Sequence, residues 1–147
     1  MKILGFGIHL DTSISRPLFG HLEAVATRNI PLLRESFTSD ALFVGTDDTE
    51  QWTFEQLERA LLESTEGWAM RHTDDGVTIR AVGNRIDMGT FYEVVVHEKF
   101  GTMRGSGTLV KDTDGKWKIA QYVLSFSVPN DVVDETNFLE LLGSSLS

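Results

Sequence analysis

The stretch FGTMRGSGTLVKDTDGKWKIAQYVLSFSV, Phe100 to Val128, decides how this chain folds. Two runs of strand-forming residues flank Asp114-Gly115, a dipeptide suited to a tight hairpin, so the segment predicts two long antiparallel strands. Side chains alternate across a strand, giving each strand two faces. One face carries Thr102, Arg104, Ser106 and Thr108 beside Trp117, Ile119, Gln121, Val123 and Ser125. The opposite face carries Met103, Gly105, Gly107 and Leu109 beside Ala120, Tyr122, Leu124 and Phe126. The first face is expected to wall a pocket. The second is apolar and wants covering, and its glycines permit the close approach of Tyr122 or of a partner subunit.

Upstream, Leu18, Phe19, Leu22, Val25 and Ala26 recur at helical spacing and predict an amphipathic helix from Arg16 to Arg28. Pro31 opens a second short helix, Pro31 to Phe37, because proline is tolerated in a first helical turn. A strand follows over Ala41 to Asp47. Thr53 and Gln56 have capping-box spacing and start another helix, which runs to Glu63. From there the pattern turns to strands, over Trp68 to His72, Val77 to Val82 and Arg85 to His97, with turns at Asp75-Gly76 and Gly83-Asn84. Pro129 closes the last strand, and the apolar residues of 131–147 predict a C-terminal helix or packing arm. Helices first and an antiparallel sheet afterwards make an α+β layout.

The 147 residues fit one domain, and 41% hydrophobic content is enough for a core. With 22 acidic against 13 basic residues the net charge is −9, which disfavours both nucleic acid and anionic membranes. The absence of cysteine rules out disulfides and thiolate chemistry. The N-terminal apolar run is short and lacks a small-residue cleavage site, so a cytoplasmic protein is expected. No histidine-carboxylate spacing suggests a metal and no motif implies a cofactor; Asp112 and Asp114 open like a calcium loop, but valine stands at 123 where its glutamate belongs.

Three sequence words carry a resemblance: FVGTDDTEQWT at Phe43 to Thr53, GTMRGSGTLVK at Gly101 to Lys111, and KWKIAQYVLSFSVPND at Lys116 to Asp131. Together they resemble a SnoaL-like subfamily of the nuclear transport factor 2-like, cystatin-like superfamily, over Leu18 to Asp134, with residues 1–17 outside as an extension. The resemblance implies a cone: a strongly bent mixed or antiparallel sheet wrapped around the N-terminal helices, with an elongated pocket inside and homodimers packed through the outer sheet face. It also implies an acidic residue at the position of Glu93. That fold hosts isomerases, dehydratases, cyclases, binding modules and transport adaptors, so it does not by itself assign a function. Where some relatives present a histidine on the last strand, this chain has Gln121 and Val123.

With a two-residue turn at Glu98-Lys99, Glu93 falls opposite Arg104 on the pocket face. The pair has three readings: a structural ion pair, a ligand contact, or a proton-transfer site. A neighbouring guanidinium lowers a carboxylate pKa and weakens it as a base, so Arg104 is better suited to gripping a carboxylate or enolate oxygen. Asp47 either caps its turn through Thr49 or acts as a base. His97 is expected in solvent at a hairpin end, and His9, His21 and His72 are scattered. The expected pocket residues are Trp52, Trp68, Phe91, Glu93, Arg104, Ser106, Trp117 and Gln121, with Glu93, Arg104 and Asp47 the catalytic candidates. The expected dimer face is Tyr92, Val94, Val96, Met103, Leu109, Tyr122, Leu124 and Phe126. Three functions stay open: a binder of a small apolar or carboxylate-bearing molecule with no assigned reaction, an isomerase, dehydratase or cyclase, and a structural or interaction module with a filled cone.

Overall fold

The structure is a computed structural model that describes residues 1–5 and 12–133. Strand β1 (Lys2–Leu4) and a short 3-10 turn (Thr12–Ser15) precede helices α1 (Arg16–Thr27) and α2 (Ile30–Ser36). Then come β2 (Phe37–Val44), β3 (Gln51–Thr53), α3 (Phe54–Glu63), β4 (Met70–Ala81), β5 (Met88–His97), β6 (Gly101–Lys111), β7 (Trp117–Phe126) and one turn of helix, α4 (Asn130–Val133). The expected C-terminal helix or arm lies, beyond residue 133, outside the described residues.

Local chemistry accounts for the helices. Asn29 caps α2 by accepting from the Leu32 amide, and Thr53 and Gln56 form both halves of the capping box on α3. Pro17 and Pro31 stand in first turns, where a missing amide proton costs nothing. Helix α1 buries Leu18, His21, Leu22 and Val25 as one stripe, while Phe19, expected inside, is half exposed.

The seven strands form one sheet in the order β1-β4-β5-β6-β7-β2-β3. β1 runs parallel to β4 and β2 parallel to β7, and the other pairs are antiparallel. The open sheet bends around α1, α2 and α3 as an α+β cone, with Leu18, Leu33, Leu57, Leu61, Ile79, Leu109 and Ile119 in the core. Among the described residues, no helix is long and apolar enough to cross a membrane.

Register corrects the sequence reading in three places. The β5–β6 hairpin has a three-residue loop, 98–100, and Gly101 at φ 76, so His97 pairs with Gly101 and Arg104 with Val94 rather than Glu93. A one-residue slip sends every side chain of a strand to the other face. Met103, Gly105 and Leu109 therefore face inward and are buried, and Arg104 faces out. The second difference is in β7, where a bulge at Ala120 separates Ile119, opposite Leu109, from Gln121, opposite Thr108. Trp117 and Ile119 before it and Tyr122 after it are all buried inside, while Gln121 is exposed. The third is the predicted turn at Asp75-Gly76, which is a bulge within one continuous strand β4, with Asp75 at φ 55. His72 and Val77 are five positions apart, yet their partners Val95 and Glu93 are two apart, so both point into the cone.

Candidate functional site

These register features gather four ionisable side chains that lie far apart in the chain. Glu93, on the inner face of β5, has no solvent exposure. Its Oε1 accepts from His21 Nε2 at 2.8 Å and from the Tyr122 hydroxyl at 2.6 Å, and its Oε2 accepts from His72 Nε2 at 2.6 Å. His21 comes from the buried stripe of α1, His72 from β4 just before its bulge, and Tyr122 from β7 just after its bulge.

Burial by itself would raise the Glu93 pKa. The charge of His21 and the hydrogen bonds from His21, His72 and Tyr122 outweigh it and bring the group down to about 2. An ionised carboxylate only accepts, so each imidazole turns an Nε2–H toward it, and Nδ1 is the ring nitrogen left for other partners. His21 Nδ1 makes no hydrogen bond among the described residues. Burial, followed by the charge of Glu93 and the hydrogen bond to it, pushes Tyr122 well above its ordinary 10, so it stays a hydroxyl donor.

A pH dependence follows. The Glu93 carboxyl is lowered from 4.5 to about 2 in the fold, so its contribution is fully present above pH 4.5 and is lost as pH falls toward 2. The shift corresponds to about 3 kcal/mol. Because many other carboxylates titrate in the same range, the measurement is a comparison. Urea unfolding of the wild type should lose roughly that much more stability than Glu93→Gln between pH 5 and pH 2.5; parallel curves would contradict the assignment.

Beside the cluster lies a cavity of about 210 Å³, lined by His21, Val25, Phe37, Phe43, Leu57, Trp68, Met70, Met103, Tyr122 and Leu124, with Thr46, His97, Phe100 and Phe126 also in its wall. The exposed members, Thr46, Phe100 and Phe126, mark its mouth. The volume is below the ~300–1,000 Å³ of drug-sized sites, so it suits a small ligand. Its walls are mostly apolar, with ring packing around Tyr122: Phe43 stacks at 5.7 Å, and His21 and Phe91 lie at 4.9 and 5.8 Å. A larger groove of about 460 Å³ between α1, α2 and the β6–β7 hairpin holds none of the four clustered groups. Among the described residues, no three imidazole or carboxylate groups converge as metal ligands.

Of the residues predicted from sequence, Glu93 is central and Trp68 lines the cavity. Phe91 is buried in the core beside Tyr122, and Trp52 stacks on Phe43 at 5.8 Å behind the cavity wall. Trp117 is buried but borders the larger groove. Arg104, Ser106 and Gln121 lie on the outer face, so no Glu93–Arg104 pair forms and neither Arg104 nor Gln121 belongs to the site. Asp47 is exposed and accepts from the Thr49 amide at 2.9 Å and its hydroxyl at 2.6 Å, which is a turn cap. His97 was expected in solvent but is half-buried in the cavity wall. The expected dimer face is divided: Tyr92, Val94 and Val96 point outward, but Met103, Leu109 and Tyr122 are buried inside, and Leu124 and Phe126 line the cavity. His21 and His72 were missed, although His21 stands three residues after Leu18 and four before Val25, on the buried stripe.

A bent-sheet α+β cone with a mostly apolar cavity between sheet and helices is the class that fold and site define. Residues 20–129 match the family model described as a SnoaL-like domain, and the chain belongs to that family. An NTF2-like protein of unknown function from Pseudomonas putida superposes with a TM-score of 0.66 at 14% identity, over 87% of this chain and 94% of that one. A protein of unknown function with a cystatin-like fold from Nostoc punctiforme gives 0.64 at 16%, over 86% and 96%. A ketosteroid isomerase-like protein from Erwinia carotovora gives 0.57 at 19%, over 80% and 95%. At these identities the likeness is one of fold. No curated protein matches the sequence.

Proposed function

We propose that the cone binds a small, largely apolar molecule and that His21, oriented by Glu93, moves a proton on it. The observation that carries this reading is the fully buried Glu93 held by three hydrogen-bond partners, two of which, His21 and Tyr122, also wall the cavity. Taking a carboxylate out of water costs several kcal/mol, and apolar residues of similar volume would fill the same space without that cost. Acid-base chemistry gives such an arrangement a use.

Glu93 is itself a weak base at a pKa of about 2. Its role in this reading is that of the carboxylate in a carboxylate–histidine pair: it fixes the Nε2–H tautomer of His21 and stabilises the imidazolium that forms when Nδ1 takes a proton. His21 then returns the proton to another atom of the bound molecule, or to a leaving hydroxyl. Isomerisation, dehydration and cyclisation all turn on such a transfer, and the apolar walls keep competing water away. The filled-cone module is less well supported, because a cavity stays open beside His21 and Tyr122.

Binding is tested first. Met70 and Met103 both line the cavity, so their methyl resonances report occupancy. Titration with small mono- and bicyclic ketones should shift these two methyls ahead of the others; a set of ketones that moves neither would remove the reading.

For assembly, we propose a homodimer through the corrected outer face, centred on Tyr92 and Val94, where Tyr92 is 41% exposed. Light scattering at micromolar concentration should give twice the chain mass, and Tyr92→Arg should reduce it to one; a wild-type monomer would contradict this.

A further inference from the structure

Resting on the reading of the cavity as a small-molecule site, we infer that His97 is a specificity-determining residue that recognises a hydrogen-bond acceptor at the end of the ligand remote from His21. Glu93, Val95 and His97 alternate onto the inner face of β5, and four residues of strand place His97 about 13 Å from Glu93, toward the mouth.

The His97 ring is fixed by the hairpin loop that follows it. Its Nδ1 accepts from the backbone amides of Lys99 at 3.0 Å and Phe100 at 3.2 Å, and the ring packs against Phe100 with centroids 4.8 Å apart. While Nδ1 accepts, the ring proton sits on Nε2. That nitrogen has no partner among the described residues, and the ring is part of the cavity wall.

Besides His97, the polar groups of this wall outside His21 are the Trp68 indole N–H, the Tyr122 hydroxyl and the Thr46 hydroxyl. The Tyr122 hydroxyl is committed to Glu93. Thr46 is exposed at the mouth, and its rotating hydroxyl both donates and accepts, so it discriminates little. An oriented N–H in an apolar surround discriminates well, because a ligand without an acceptor there forfeits the bond. The ligand class is thus a small, mostly apolar molecule with a carbonyl, ether or carboxylate oxygen at one end and the atom that exchanges a proton at the other.

Two probes of nearly the same shape test this: 2-tetralone, which carries a carbonyl, and tetralin, which does not. His97→Asn keeps an oxygen where Nδ1 caps the loop and removes the Nε2 donor. His97→Phe keeps an apolar ring and removes both nitrogens. Each variant should weaken 2-tetralone by roughly 3- to 10-fold relative to tetralin, whose affinity should stay within about twofold of wild type. Ketone binding should also shift the His97 Nε2 resonance of the wild type and leave its tautomer unchanged. If tetralin binds but the ratio of affinities does not move, the role of His97 is overturned while the cavity reading stands. If neither probe binds the wild type, both are overturned.

Discussion

Replacing Glu93 with alanine is expected to cost about 3–5 kcal/mol of folding stability, the range seen when one partner of a buried charged network is removed. The physical reason lies in what remains. His21, His72 and Tyr122 come from three different elements and aim their protons at one carboxylate. Without it, three donors face a void that does not collapse readily, because β5 is held in register on both sides by β4 and β6. Glu93→Gln should cost less, since an amide oxygen still accepts, but its NH₂ group faces a donor and forces one imidazole to change tautomer. Urea unfolding at pH 7 measures both. The order wild type, glutamine, alanine is expected; a loss below about 1 kcal/mol for alanine would mean that the cluster is not an important part of the fold.

Gly107→Ala is the second large effect, expected at about 3 kcal/mol, the upper end of overpacking costs. A Cβ at this position would overlap the carbonyl oxygen of Gln121 and lie 3.1 Å from the Phe91 ring. The obstruction is backbone, at the bulge that turns Tyr122 inward, so relief requires the β6–β7 ladder to shift. Gly105 has a related duty: a Cβ there would meet the Tyr122 hydroxyl and lie 2.8 Å from Glu93 Cγ. The small gain alanine brings by restricting the unfolded chain, under ~1 kcal/mol, does not offset this. Ser106→Ala, on the outer face between the two glycines, is the control and should stay within about 0.5 kcal/mol of wild type. Equal stability of Gly107→Ala and Ser106→Ala in urea would show that the close approach is not needed.

Most of the architecture was legible because it is encoded locally. Helix α1 is marked by its stripe, α3 by Thr53 and Gln56, and the β6–β7 hairpin by Asp114-Gly115. The glycines of β6 were read as room for Tyr122, and that contact is present. The site was half legible: Glu93 was placed on the inner face, but its partners were not found. A two-residue turn would set Arg104 opposite Glu93, but the three-residue loop before Gly101 moves it outside. The actual partners lie 72, 21 and 29 residues from Glu93, and two of them reach it through bulges that periodicity cannot reveal. One signal was available in principle. A buried glutamate requires donors, and His21 was the only ionisable residue on the buried face of α1.

Proton transfer by His21 is what separates a catalytic cone from one that only binds. The measurement is deuterium wash-in from D₂O into small cyclic ketones that bind the cavity, followed by NMR for wild type, His21→Ala and Glu93→Gln. The account predicts exchange well above the protein-free rate for at least one bound ketone, a loss of about 100-fold or more in His21→Ala with the ketone still bound, and a smaller loss in Glu93→Gln. Exchange at the protein-free rate for every bound ketone, or His21→Ala as active as wild type, would contradict it.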